Sequence, residues 1–195
     1  MKTCDDALNS PTRQALASAL KTALRTTPLN KVTVRQLTDA AGLRRQTFYY
    51  HFADVYDLAV WLFKSEIADH ILSHASYAQW SDGFLEMLVY LQQHREQSFA
   101  VISSLKHDDL ELFFYQQLRT MTAAIVAELD GDLPVKKDDR EFIVQHYTLC
   151  VLGHLLHWLA REMRDDPYIL VENIERILHG SVLRSLELFA APQAR

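Results

Sequence analysis

The stretch TVRQLTDAAGLRRQTFYYHF, residues 33–52, decides the fold of the N-terminal part of the chain. Thr33 lies three residues before Gln36, which is the spacing of a capping box at a helix N-terminus. Ala40, Ala41 and Gly42 follow, and a tight crossing of two helices needs such small side chains and a residue that tolerates positive φ. The sequence therefore predicts a helix-turn-helix.

The second helix of this motif has an outer face suited to DNA. It is predicted to begin at Arg44 or Arg45, and the residues expected to face inward across the motif are Leu37, Leu43, Phe48 and Phe52. The outer residues include no acid: Arg44, Arg45, Gln46, Thr47, Tyr49, Tyr50 and His51. Arginine can bind guanine and glutamine adenine, threonine can contact the thymine methyl group, and tyrosine hydroxyls can reach phosphates. The alternative is a basic helical face that meets only solvent.

The distribution of charge favours DNA over that alternative. The whole chain has a net charge of −5. Residues 1–52 hold eight Lys/Arg against three Asp/Glu, a net of +5, whereas residues 53–195 hold twelve against twenty-two, a net of −10. A basic module on an acidic body is expected to direct phosphates to the module.

The same segment resembles the DNA-binding domain of TetR-family transcriptional regulators, over about Thr12 to Leu62. The most specific part of the match is Thr47-Phe48-Tyr49-Tyr50-His51-Phe52. The resemblance implies a homodimer that places each recognition helix in a major groove of a palindromic operator. By position it implies contacts to the bases for four residues: Arg35, Arg45, Gln46 and Thr47. Four others would contact the DNA backbone or flank it: Thr33, Tyr49, Tyr50 and His51.

Two residues depart from the family pattern. Arg44 stands where the family usually has a serine or threonine cap, and Val55 stands where many members have a phosphate-binding lysine. The strings at 44–49 and at Ser76-Tyr77-x-x-Trp80 are similar to regulators of the dihydroxyacetone-kinase-activator type.

The remainder of the chain is predicted to be an all-α body, which gives domains at 1–53 and 54–195. Five glycines and five prolines are few for a sandwich or barrel. A long helix from Asp54 is followed by helices at about 80–93, 97–105, 109–129, 139–164 and 168–189. The last two are apolar on several sides, which predicts burial against a second subunit. Leu155 is expected to be one of their outward sites.

Histidines on the penultimate helix raise the question of a metal site. His146, Cys150, His154 and His157 form one stripe, and His70 with His74 and Glu175 with His179 are i, i+4 pairs. Such spacing can seat zinc. Core or interface histidines bonded to neighbouring groups are the favoured interpretation, because no Cys pair or carboxylate cluster completes four ligands. We therefore expect no metal and no cofactor.

The sequence leaves two classes of signal open for the C-terminal body. Two interpretations are open for a set of aromatic residues, which either line an effector pocket or belong to the ordinary core: Trp61, Phe63, Trp80, Phe99, Phe113, Phe114, Tyr115 and Trp158. A small-molecule effector is one possibility, and an adaptor controlled by a partner protein is the other. No nucleotide-binding, HExxH or nucleophile-serine motif predicts an enzyme. Without an apolar run of membrane-spanning length or a signal peptide at Met1–Ser10, we expect a cytoplasmic protein.

Overall fold

The computed structural model describes residues 10–190, apart from the His107 side chain, and Cys4 with most of the segment searched for a signal peptide lies outside this range. Its regular elements are α-helices and one 3₁₀ turn: α1 (Pro11–Leu24), the 3₁₀ turn (Leu29–Lys31), α2 (Val34–Ala40), α3 (Arg45–His51), α4 (Val55–Leu72), α5 (Trp80–Gln93), α6 (Arg95–Ile102), α7 (His107–Asp130), α8 (Lys137–Ala160), α9 (Pro167–Leu178) and α10 (Ser181–Ala190). No strand occurs in the described range, and the predicted all-α class is confirmed.

The chain forms two compact units. The first, here the small unit, holds the described residues up to Ser65 together with Glu96–Leu105. The second, here the large unit, holds Glu66–Arg95 and the described residues from Lys106 onward. The domain boundary at 53/54 stays a prediction of the sequence, and the division into units falls within α4.

The small unit packs α1, α2 and α3 around an apolar centre. α1 contacts α2, and α2 contacts α3. The buried side chains include Leu16, Leu20, Leu37, Phe48 and Phe52, each 3% exposed or less. Ser10 occupies the N-cap position of α1, but its side chain makes no capping hydrogen bond. Proline at the first helical position of α1 leaves one fewer amide to satisfy.

The large unit is built on long helices. α7 packs against α8, α9 packs against α5, and α10 packs against both α7 and α8. One of its apolar clusters joins the ends of these helices: Val126, Val135, Ile143, Val144, Tyr147, Val182 and Leu186. α4 and α5 are joined by the Tyr90 hydroxyl, which donates to the Glu66 carboxylate, and burial together with this carboxylate raises the pKa of Tyr90.

The prediction of one final helix over 168–189 is wrong. α9 ends at Leu178 and α10 begins at Ser181. His179 has an extended ψ of 118°, and Gly180 has φ of +73°, a conformation that glycine adopts without strain. The Tyr77 hydroxyl accepts the Gly180 amide hydrogen at 3.1 Å, so a side chain satisfies an amide at the break.

The expectation for Leu155 is also wrong. Leu155 is completely buried, because the inner face of α8 packs within its own unit. The exposed apolar residues of α8–α10 lie elsewhere: Phe142, Leu149, Tyr168, Ile169, Ile177, Leu183, Leu188 and Phe189. Among the helices that the structure describes, none combines the length and the apolar content that a membrane crossing requires.

Candidate nucleic-acid interface and cavity

The start of α2 is fixed by the predicted capping box. The Thr33 side chain accepts the Gln36 amide hydrogen at 3.3 Å, and the Thr33 amide donates to Gln36 Oε1 at 2.9 Å. Thr38, which the sequence analysis did not single out, is buried and donates its hydroxyl to the Val34 and Arg35 carbonyls. These local bonds set the position of Arg35 on the first turn of α2.

The turn between α2 and α3 is a Schellman motif. The Leu43 amide donates to the Thr38 carbonyl at 2.8 Å, and the Gly42 amide donates to the Asp39 carbonyl at 3.3 Å. Gly42 has φ of +66°, and a Cβ added there would meet nothing within 4 Å. Glycine is therefore required at this position for its backbone conformation rather than for space.

The inner side of α3 holds this helix against the small unit. Phe48 is completely buried, with ring contacts to Tyr49 at 5.6 Å and to Phe52 at 5.9 Å between centroids. The predicted inward positions of Leu37, Phe48 and Phe52 are confirmed, whereas Leu43 is half-buried. Arg44 occupies the N-cap without a side-chain hydrogen bond, as its departure from the family pattern predicted.

The outer side of α3 presents most of the predicted site residues. Arg44, Arg45 and Gln46 are exposed, as are Tyr49 (59%) and Tyr50 (86%), while Thr47 and His51 are half-buried. The Tyr50 ring lies 5.2 Å from that of His51. No acid occurs between Arg44 and Phe52.

Three further basic residues of the small unit differ in what surrounds them. Arg35 lies 3.5 Å from Asp39, so one acid competes for its guanidinium. Arg13 lies over the rings of Phe52 and Trp61, at 5.5 and 5.9 Å, and serves the core. Lys31 is exposed in the 3₁₀ turn just before Thr33, and the sequence analysis overlooked it because it precedes the motif.

Val55, in place of the family's lysine, is 8% exposed. The start of α4 is instead capped by Asp54, which accepts the Asp57 amide hydrogen at 2.8 Å. Asp57 in turn accepts the Ala53 amide hydrogen at 3.0 Å. This helix start therefore offers carboxylates, and no cation, to a nearby phosphate.

The large unit contains a cavity near the break between α9 and α10. Its volume is about 40 Å³, room for roughly three waters when each needs ~10–15 Å³. It is lined by Tyr77, Trp80, Met121, Thr122, Ile125, Tyr147, Val151, Glu175, Leu178, His179 and Val182. Of the aromatic residues named from the sequence as pocket candidates, Trp80 alone lines this cavity. Trp158 has another role, since it is buried and donates from Nε1 to the Asp165 carbonyl at 2.9 Å.

The histidine stripe of α8 lies largely on its outer surface. His146, His154 and His157 are exposed, and His146 Nε2 lies 3.9 Å from Cys150 Sγ. Within the described residues, no three His, Cys, Asp or Glu side chains are grouped to hold a metal ion. His70 pairs differently, with Nδ1 3.7 Å from Glu86.

A helix-turn-helix with an outward basic face, joined to a larger helical unit, is the organisation of a one-component transcription regulator. Comparison with known proteins defines the class further. The family model described as "Transcriptional regulator C-terminal region", of the TetR type, matches residues 78–180, more than half of the chain. The chain belongs to the TetR family of transcriptional regulators.

Individual relatives agree with this assignment. The HTH-type dhaKLM operon transcriptional activator DhaS of Lactococcus lactis subsp. lactis (strain IL1403) is 26% identical over 99 residues, 49% of this chain and 53% of the relative. The match thus spans about half the length of that curated protein. The relatives compared are transcriptional regulators rather than enzymes.

Two solved structures share the fold. A dihydroxyacetone kinase operon activator, DhaS, has a TM-score of 0.64 at 21% identity and covers 93% of this chain and 99% of its own. The TetR family repressor AlkX from Dietzia sp. strain DQ12-45-1b has a TM-score of 0.51 at 16% identity and covers 93% and 99%. The similarity to the dihydroxyacetone-kinase-activator type, noted from the strings at 44–49 and 76–80, is confirmed as a similarity.

Proposed function

We propose that this regulator binds a palindromic DNA operator as a homodimer and that its large unit receives an effector. The DNA-contacting residues in this proposal are Thr33, Arg35, Arg44, Arg45, Gln46, Thr47, Tyr49, Tyr50 and His51. The observation that carries the proposal is the outer face of α3, where arginines, an amide and two tyrosines are exposed together and without an acid.

Burial and side-chain length indicate which residues of this face would contact bases and which would contact phosphates. Arg45 and Gln46 are both exposed in the first turn of α3, and Gln46 lies on the side of the helix opposite the buried Phe48. These two side chains would bind base edges. The exposed Tyr49 and Tyr50 hydroxyls, and Lys31 beside the Thr33 cap, would bind phosphates.

Exposed apolar side chains of the large unit support the proposal of a homodimer. Phe142 and Leu149 on α8 are 56% and 49% exposed, and Leu188 on α10 is 58% exposed. Phe142 lies 6.3 Å from Phe189 between centroids, which makes one apolar patch from two helices. Covering such a patch with its own copy is a common solution for a symmetric protein.

The effector is proposed to be a small molecule in the cavity. A partner protein is the second candidate, because the cavity is small while Tyr168, Ile169 and Ile177 of α9 are 58–70% exposed. In that case the chain would act as an adaptor, and α9 would be the surface that the partner covers. Substituting Ile177 with Asp would abolish the partner's effect without changing the dimer.

Arg45→Ala tests the DNA interface. Loss of the guanidinium should cost about 1–3 kcal/mol per half-site and relax the preference at one base position. The operator is first selected from genomic fragments by the purified protein, and fluorescence anisotropy then compares it with a scrambled duplex. Tyr49→Phe is the matched control, because removing a phosphate contact should weaken both duplexes by a similar factor. An unchanged ratio of specific to scrambled affinity in Arg45→Ala would exclude base recognition by α3.

A further inference from the structure

We infer that Glu162 is a positioning residue, which couples the end of α8 to the start of α6 and thereby to the small unit. This inference rests on the proposed function, because it concerns how a homodimer presents two small units to one palindrome. Glu162 follows α8 with a left-handed backbone conformation that helix ends normally reserve for glycine.

α8 ends in the same Schellman motif as α2, but without a glycine. The Met163 amide donates to the Trp158 carbonyl at 3.0 Å, and the Glu162 amide donates to the Leu159 carbonyl at 2.8 Å. Glu162 therefore takes the position that Gly42 takes after α2, with φ of +59° in place of +66°. A residue with a Cβ is strained at this angle, and such strain persists only where surrounding contacts hold the backbone.

The contacts that hold this turn come from the corner between α5 and α6. Arg95 Nη2 donates to the Glu162 carboxylate at 2.9 Å, and Arg95 Nε donates to the Glu162 carbonyl at 3.0 Å. Gln92 Nε2 donates to the Met163 carbonyl at 2.9 Å, and the Met163 side chain is 1% exposed. Glycine at position 162 would keep the carbonyl of this turn but not the carboxylate. The glutamate is therefore explained by its contact with Arg95.

This corner lies where the chain passes from the large unit to the small unit. Gln92 belongs to the last turn of α5, and Arg95 is the first residue of α6. Arg95 is grouped with the large unit, whereas α6 from Glu96 onward is grouped with the small unit. Gln97 Nε2 then donates to the Leu24 carbonyl at the end of α1 at 3.3 Å. The first residue of α6 is thus bonded to the turn after α8, and its third residue is bonded to α1.

α8 is also the helix whose exposed Phe142 and Leu149 are proposed to form the dimer. A dimer binds a palindrome tightly when its two small units are already held at the spacing of the half-sites, because the second contact then forms at a high effective concentration. A loose link lowers this concentration without weakening either single contact. The side chains of Arg95 and Glu162 are 45% and 51% exposed, so their ion pair contributes little to the stability of the fold. Its loss should therefore affect a palindrome and spare a half-site.

Glu162→Gly and Glu162→Ala in the full-length protein test the inference together. Both variants lose the carboxylate, but only glycine relieves the backbone, so Glu162→Gly should melt about 2–4 °C above Glu162→Ala. Both should nevertheless weaken the selected palindrome by about tenfold in fluorescence anisotropy, and a duplex with one half-site scrambled by less than about twofold. Arg164→Ala is the control, because Arg164 donates to the same carboxylate at 2.8 Å but does not belong to α6. It should leave both affinities unchanged.

Three results would overturn the inference: an unchanged ratio of palindrome to half-site affinity in both Glu162 variants, an equal loss in Arg164→Ala, or a Glu162→Gly protein that melts no higher than Glu162→Ala. Light scattering on the same samples should show the mass of the parent, and a smaller mass would assign the loss to the dimer instead. The parent separates the inference from the proposed function. If the parent prefers the palindrome and the variants do so equally, the positioning role alone fails. If the parent binds the palindrome no more tightly than the half-site, the proposed function fails.

Discussion

The two units use their side chains in opposite ways. In the small unit, short helices are fixed by local bonds at their ends, such as the Thr33–Gln36 capping box and the Gly42 turn. In the large unit, long helices are held by extensive apolar packing, with Leu155 and Trp158 buried on α8. Local capping needs few side chains, and the outer face of α3 is therefore available for binding.

The large side chains that the two units leave exposed differ in chemistry. The large aromatic residues exposed on α3 are tyrosines, whose hydroxyls can bind phosphate. The large apolar residues exposed on α8 and α10 include Phe142, Leu149 and Leu188, whose side chains have no polar group. The comparison suggests that the small unit is built to meet a polar polymer and the large unit to meet another protein surface, the first of which we propose to be DNA and the second its own copy.

The largest expected effect is the loss of the fold in Leu155→Glu. This side chain is completely buried, so the substitution loses the packing of a leucine, about 2–5 kcal/mol, and adds the cost of burying a carboxylate. Because a typical domain is stable by only ~5–15 kcal/mol, the large unit should be largely unfolded. Circular dichroism during thermal melting measures this, and a melting curve like that of the parent would contradict the buried position.

Leu149 lies six residues before Leu155 on α8, and Leu149→Glu should have a different outcome. Leu149 is 49% exposed, so the helical spectrum should persist while the dimer dissociates. The substitution occurs twice per dimer and should cost on the order of 2–4 kcal/mol in association. Light scattering measures the mass, with Gln116→Glu on the exposed side of α7 as the control. A Leu149→Glu protein that stays dimeric would remove this part of α8 from the interface.

The small unit follows from the sequence more directly than the large unit does, for a physical reason. The capping box, the positive φ of Gly42 and the burial of Phe48 depend on residues a few positions apart, so the sequence contains the whole pattern. The burial of Leu155 and the break before Gly180 depend on helices far apart in the chain. A helix that is apolar on several sides does not indicate which side its own subunit covers.

The cavity shows the same limit. Aromatic residues alone did not distinguish a pocket from a core, because both contain them. The Glu175 and His179 pair was noted from its spacing, but its partner Tyr77 is about a hundred residues away in the sequence. The sequence alone does not show that residues so far apart in the chain line the same cavity.

The two glycines at 42 and 153 give a smaller test of the comparison. Gly42→Ala should destabilise the protein by about 1–2 kcal/mol, because a Cβ is strained at φ of +66° although the surrounding space is open. Gly153 lies within α8, where an added Cβ also meets nothing within 4 Å, and Gly153→Ala should stabilise by about 0.5–1 kcal/mol. The denaturant midpoints of both variants measure these two changes in stability. A destabilising Gly153→Ala with a weakened dimer would show instead that a second copy approaches this position closely.

The smallest expected effect concerns two exposed ion pairs of equal length. Arg35–Asp39 in the small unit and Arg184–Glu187 in the large unit both measure 3.5 Å, and such exposed pairs contribute about 0.2–1 kcal/mol to stability. Asp39→Asn and Glu187→Gln should therefore change the melting temperature little and by similar amounts. Their effects on DNA should differ, because Asp39 lies beside the proposed interface and competes with phosphate for Arg35. We expect Asp39→Asn to raise affinity several-fold for operator and scrambled duplex alike, and the gain should shrink as salt is added. Glu187→Gln should leave both affinities unchanged.

An equal rise in the two variants would assign the effect to net charge alone. A fall in operator affinity with Asp39→Asn would mean that Asp39 orients Arg35 toward a base, in which case this ion pair is part of the recognition surface.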